Sequence, residues 1–174
     1  MPKIEKITKQ TENPYVNLYL VEGKNKVDHL FRYYVASRAK TMEALKIKTK
    51  KNTPDGVLMY SLYGEKRDKI VLVRQYRVSI DDYIYEFPAG LVEPGEEFHE
   101  AAVREMHEET GLTFHPLKVD PCYEKPFFTT IGLTDEACSA VYGWCEGEIS
   151  RKYLEESDCL LYTSPSPRDI SGSR

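Results

Sequence analysis

Tryptophan is almost missing: the 174 residues include one, against 13 tyrosines and 6 phenylalanines. Tyrosine suits half-buried strands, so this balance predicts a β-rich fold. Cysteine is scarce too. Cys122, Cys138, Cys145 and Cys159 show no CxxC or Cys/His spacing, which excludes a zinc site of the common kind. Cys138 and Cys145 are seven apart, on opposite faces of any one strand, so they cannot pair there. A reducing cytoplasm is the expected compartment. No apolar run approaches the roughly 18–20 residues of a membrane helix. The opening MPKIEKITKQ lacks an apolar signal core, so neither export nor a membrane partner is expected. Positive charge is not in excess: 24 Lys+Arg against 28 Asp+Glu leave a net charge of −4, which argues against a nucleic-acid partner. What remains, 41% hydrophobic and 30% charged, is ordinary for a globular chain and excludes wholesale disorder. The length suits one domain with a small appendage, and no internal repeat is visible.

Residues 15–23 and 29–37 read as strands from their Tyr, Val and Leu content. A Lys-rich stretch, 41–52, ends in the turn signal NTPDG, which marks a boundary between a small N-terminal β region (1–52) and a main domain (53–158). Within that domain, 56–63 and 70–76 read as a hairpin around the polar GEKRDK turn. A further strand is read at 83–87, closed by Pro88-Ala89-Gly90. Residues 96–110 are the one helix with clear periodicity, followed by a strand at 112–119, a loop at 121–136 and an alternating strand at 137–145.

That helix carries the chemistry. Phe98, Ala102, Val103 and Met106 form an apolar arc, and Glu105, Glu108 and Glu109 share a face bordering it. Carboxylates at i,i+3 and i,i+4 repel, and near a helix C-terminus the macrodipole disfavours them as well. An arrangement that opposes helix stability twice implies a cation. Oxygen ligands alone select Mg²⁺ or Mn²⁺, metals suited to phosphate-bearing substrates. Taken by themselves, three glutamates also read as a solvated acidic face.

Gly90, Glu96, Arg104, Glu105, Met106, Glu108, Glu109, Gly111 and Leu112 fit G-x5-E-x7-R-E-U-x-E-E-x-G-U, with U aliphatic. This resembles the Nudix box without departures. Seven fixed positions coincide in roughly one window in 10⁸–10⁹ at ordinary residue usage. Arg104, four residues before Glu108, can orient it, and Gly111 ends the helix. The resemblance implies an α/β fold, the α/β/α Nudix sandwich with a mixed sheet, preceded here by the small N-terminal β region. It implies metal ligation by Glu105, Glu109 and the Ala89 carbonyl, with Glu108 catalytic beside them. It also implies Mg²⁺-dependent (or Mn²⁺-dependent) hydrolysis of a nucleoside diphosphate linked to another group.

EFPAGLVEPGE (86–96), RQYR (74–77), Pro126 fifteen residues past Gly111, and GLTDE (132–136) resemble the ADP-ribose pyrophosphatase group of that family. The resemblance covers 28–158 well and 1–27 loosely. It implies cleavage of ADP-ribose or a related nucleoside diphosphate sugar to AMP and a sugar phosphate, and a homodimer built through the N-terminal strands. By it, Arg77, Glu86 and Arg38 contact substrate, Tyr33 stacks on adenine, and Glu156 in LEESD (154–158) is the catalytic base of a late acidic loop. Several also have a plain reading: Tyr33 as filler, Arg38 as a solvated charge, Glu156 as part of a charged surface loop; Glu136 reads equally as substrate-facing or as a loop charge. Two other functions stay open. One is hydrolysis of a different nucleotide, such as GDP-mannose or an oxidised nucleoside diphosphate. The other is a non-catalytic ADP-ribose sensor, which the intact box and the lack of a winged-helix region disfavour.

The tail CLLYTSPSPRDISGSR, with two Pro, four Ser and no packing period, differs from everything before it, and by composition alone it reads as a genuine disordered tail. Cys159–Asp169 back-translates onto the adapter of transposase-based sequencing libraries. Residues 159–174 are therefore expected to be non-native, the domain to be C-terminally truncated, and the natural sequence to run on past 158.

Overall fold

The computed structural model describes residues 2–150 and 162–164. In chain order the elements are β1 (Lys3–Lys9), β2 (Asn17–Lys24), β3 (Leu30–Ser37), α1 (Lys46–Thr49), β4 (Gly56–Tyr63), β5 (Lys69–Ile70), β6 (Leu72–Arg77), β7 (Asp82–Glu86), β8 (Ala89–Leu91), α2 (Phe98–Thr110), β9 (Thr113–Pro116), a 3-10 turn (Pro121–Tyr123), β10 (Phe127–Phe128), β11 (Ala137–Glu146) and β12 (Tyr162–Ser164). Among the described residues they divide into two compact units, one of 2–53 with 127–137, the other of 54–126 with 138–150 and 162–164.

In the first unit β1, β2 and β3 form an antiparallel sheet in that order. The central strand buries Tyr19, Leu20 and Val21. The β2–β3 turn is held by Asn25, whose Oδ1 accepts from the Val27 and His29 backbone N–H groups. The segment 127–137 joins this unit through Ala36, whose N–H donates to the Leu133 carbonyl at 2.9 Å. The strand β1 is absent from the sequence reading. Its two isoleucines, Ile4 and Ile7, stand three apart among lysines and break the period of two, and a register shift between Ile4 and Lys6 accommodates them.

In the second unit β4 is the hub. It pairs in parallel with β11, and antiparallel with β5 at its C-terminal end and β8 at its N-terminal end, while β9 pairs antiparallel with β11. The sheet is mixed, as expected. The strand read at 70–76 divides: Lys69–Ile70 closes the hairpin onto β4, and β6 turns away to pair with β7. The core gathers Val57, Met59, Val71, Ala101, Ala102, Met106, Leu112, Phe114, Val141 and Cys145. Cys122, Cys138 and Cys145 stand as thiols.

The tail excluded from the fold reading supplies β12, which pairs with Leu72–Arg74. Ladder hydrogen bonds are made by backbone, so a sequence with no packing period can still add a short strand. Among the described residues no helix is long and apolar enough to cross a membrane.

Candidate active site

The loop before α2 sets the geometry. Pro94 and Gly95 turn the chain, with Gly95 at φ +88°, and Glu97 caps the helix by accepting from the His99 N–H at 2.8 Å. The helix therefore starts at Phe98, not at Glu96 as the periodicity suggested. Glu96 stays in the loop and closes it, accepting from the Glu93 N–H at 2.9 Å. At the far end Gly111 takes φ +74° and its N–H donates to the His107 carbonyl.

Arg104 fastens this loop to the helix. Its Nε and Nη2 donate to the two carboxylate oxygens of Glu96, each at 2.9 Å. Nη1 lies 3.0 Å from Glu105 Oε1 and 3.1 Å from Glu108 Oε2. Nη2 also donates to the Leu91 carbonyl at 3.0 Å. The sequence pointed to the Glu108 contact alone. The fork to Glu96 is the larger one, and with the Glu93 N–H it holds the Glu96 carboxyl down to about 2. Arg104→Lys loses the planar fork. Its expected outcome is a drop in kcat on the order of tenfold, with faster proteolytic cutting in the 91–97 loop. Parental values of both would show that the fork does not hold the site.

Glu105 and Glu109 are not beside the apolar arc; they are in it. At ~100° per residue Glu109 projects within ~20° of Phe98. The buried face is Ala101, Ala102, Met106 and Thr110, while Val103, assigned to the arc from sequence, is exposed. Burial, and then the charge of Glu105, push the Glu109 carboxyl up to about 8, against a smaller opposing pull from the Ala89 backbone N–H and Arg77. The Glu109 Oε2 atom is sealed from solvent and has no hydrogen-bond partner. Burial also raises Glu105, more than Arg104 lowers it.

The Glu105 side chain lies directly across Gly90. A Cβ on Gly90 would stand 1.9 Å from Glu105 Cδ and 2.3 Å from its Cγ. The box glycine is thus a matter of space here: only a residue without a side chain lets the carboxylate cross the strand. Near this pair, Arg77 Nε donates to Glu86 Oε2 at 2.9 Å, and both groups act on the charge of Glu109.

Ala89, Gly90, Glu105, Glu109, Arg77 and Glu86 are therefore brought together on β6, β7, β8 and α2. Tyr33 and Arg38 belong to the other unit. There the Tyr33 hydroxyl donates to the Gly132 carbonyl at 2.5 Å and Arg38 Nε pairs with Glu136 Oε1 at 2.9 Å. Glu156 lies outside the described residues. The sequence reading missed one polar cluster: the His99 ring stands between Glu97, 3.0 Å from Nδ1, and Glu124, 2.8 Å from Nε2. Burial lowers the His99 pKa, but Glu124 and Glu97 outweigh it and raise the net value. Only Glu97, two residues away, was close enough in sequence to hint at this.

A divalent cation fits the donor set. Two half-buried carboxylates that repel each other, one with a buried orphan oxygen, are the groups a hard cation relieves. Among the described residues no three His, Cys, Asp or Glu side chains form a ready metal cage. Mg²⁺ does not require one, since it is commonly held by one or two carboxylates with waters and substrate phosphates completing the shell.

Residues 52–151 match the NUDIX domain model. The chain belongs to the Nudix family. Among the relatives of this Nudix chain are the ADP-ribose pyrophosphatase of Saccharomyces cerevisiae (strain ATCC 204508 / S288c), 36% identical over 80 residues, and that of Bacillus subtilis (strain 168), 44% identical over 61. These matches cover 45% and 34% of this chain, and span about a third of the relatives' own length, 35% and 33%. A solved structure titled as that of an ADP compounds hydrolase superposes with a TM-score of 0.69, covering 99% of this chain and 83% of that one at 18% identity. That likeness concerns the fold, and it confirms the mixed α/β Nudix architecture expected from the box.

Proposed function

We propose that this Nudix chain hydrolyses the diphosphate of ADP-ribose, or of a closely related nucleoside diphosphate sugar, to AMP and a sugar phosphate, using Mg²⁺ or Mn²⁺. The observation that carries the reading is the Glu105–Glu109 pair, half-buried against Ala89–Gly90 with one sealed oxygen unpartnered. Glu105, Glu109 and the Ala89 carbonyl hold the metal. When bound, the metal neutralises diphosphate charge and lowers the pKa of water. Arg104 holds Glu108 at the site's edge, where its carboxylate can orient water. The Arg77–Glu86 pair is near enough for its charges to act on Glu109, and there the guanidinium can take a phosphate oxygen and Glu86 a sugar hydroxyl. Glu156 is proposed as the general base that withdraws the water proton. The ADP-ribose specificity rests on the relatives' names and on the 74–77 and 86–96 motifs.

The test is a substrate panel of ADP-ribose, GDP-mannose and an oxidised nucleoside diphosphate, with and without Mg²⁺ or Mn²⁺, resolving products by chromatography. The expected result is metal-dependent AMP from ADP-ribose. Binding of ADP-ribose without cleavage under any metal would replace the enzyme by a sensor.

The N-terminal unit is proposed to build a homodimer and to bring Arg38 and Tyr33 to substrate. Leu30, Tyr33 and Tyr34 on β3 are exposed, and an apolar edge of this kind is an association surface. Deleting residues 1–40 is expected to give a monomer or aggregate with weakened ADP-ribose binding. Light scattering that finds the intact chain monomeric and fully active would overturn this.

A further inference from the structure

A cleft lies in the second unit, at the opposite end of β4 from Gly90. It measures about 500 Å³ and is lined by Tyr63, Glu65, Arg67, Lys69, Trp144 and Glu146. Its floor is Trp144, the chain's single tryptophan, with the His115 ring stacked on it at 4.1 Å. The Tyr63 hydroxyl donates to the Gly147 carbonyl at 2.9 Å and closes one wall.

Arg67 is the unusual residue. It takes φ +50°, a left-handed backbone that a residue with a side chain adopts at a cost, and its guanidinium lies 4.1 Å over the Trp144 ring. Stacking fixes a guanidinium by its face and leaves the N–H donors at its edge unused. Among the described residues no hydrogen bond or ion pair takes the Arg67 side chain, and none takes Lys69. The neighbouring carboxylate Glu146 is already engaged by His115 Nε2 at 2.9 Å. Glu65 on the rim opposes anion entry. The cleft thus presents two cations with spare donors, one of them oriented in advance, in a space sized for a small molecule.

We propose that this cleft is a second ligand site, distinct from the catalytic carboxylates, that takes a phosphate monoester. The phosphate is bound by the Arg67 edge and the Lys69 ammonium, and the organic body lies along Tyr63 and the rim of Trp144.

The single tryptophan makes the test direct. The intact chain in EDTA is titrated with AMP, ribose 5-phosphate and adenosine, reading Trp144 emission, and binding is measured in parallel by equilibrium dialysis. A saturable signal with the two phosphate esters and none with adenosine is expected. Lys69→Ala and Arg67→Ala should each weaken dialysis binding about tenfold, and Glu65→Gln should tighten it. Binding should persist in Glu109→Gln, whose carboxylate belongs to the other site. No binding of either ester, or binding that survives the Arg67→Ala/Lys69→Ala double substitution, overturns the proposal. Neither outcome bears on hydrolysis of ADP-ribose, because no turnover is read.

Discussion

Glu109→Gln is expected to leave the chain folded and no less stable than the parent, while ADP-ribose turnover falls on the order of 10²-fold or more. The two effects part because the native chain buries this carboxylate at a cost. Burial and the Glu105 charge push it up to about 8, and Oε2 finds no partner. Glutamine keeps the volume and removes the charge. Sign matters for the pH dependence. The unfolded glutamate titrates near the ordinary 4.5, the folded one near 8. Between these values the native state holds a proton that the unfolded state has lost, so this group makes stability fall as pH rises through the window. Above it the carboxylate is ionised in both states and the full penalty stands. The metal-free parent should therefore lose melting temperature from about pH 5 to about pH 9, and Glu109→Gln should lose less, with the widest gap at the alkaline end. Mg²⁺ should raise the parent's melting point at high pH and leave the variant's unchanged. Near-parental turnover in the variant would remove Glu109 from the metal site; a variant less stable at every pH would mean that its charge is compensated in the apo protein.

Gly90→Ala should be nearly as damaging to activity, for a geometric reason. The added methyl stands 1.9 Å from Glu105 Cδ and 2.3 Å from Oε1. What must yield is the outer part of a flexible side chain rather than backbone, so the expected stability loss is small, about 1 kcal/mol or less. A carboxylate displaced by ~1 Å, however, can cost on the order of 10²-fold in rate. Shortening the obstructed side chain offers a check: Glu105→Asp should cost less in the Gly90→Ala background than it does alone, a coupling read by a double-mutant cycle. Additive losses, or parental kcat in Gly90→Ala, would show that the close approach does not position Glu105.

Much of the second unit was legible because its cues are local. The turn residues around 64–68, the alternation of 137–145 and the spacing of Glu105, Glu108 and Glu109 each sit inside a short window. The depth of Glu109 was not legible. Hydrophobic patterning sorts polar residues to the outside, and a carboxylate at the centre of a buried arc inverts that rule, as functional sites do. The helix start was misplaced for a related reason: Glu96 keeps the period but is claimed by Arg104 eight residues on, a contact no helix template contains. The strand β1 was missed because a lysine-rich edge strand has half the apolar residues that alternation needs. The polar cluster of His99 with Glu124 joins residues twenty-five apart, which only the folded chain brings together.

The parallel pairing of β4 with β11 also has a consequence for how the chain reaches this fold. Antiparallel β5 and β8 follow β4 closely in sequence and can cover one edge of it early. The other edge, from Gly56 to Tyr63, waits for Cys138–Cys145. On the ribosome β4 therefore emerges as a buried-type strand with one side open until most of the domain has been synthesised. Non-local parallel closure of this kind is slow and leaves the open side exposed to other chains. The late step of folding should be the docking of β11, and aggregation during synthesis should begin at the open edge of β4 rather than at the catalytic helix.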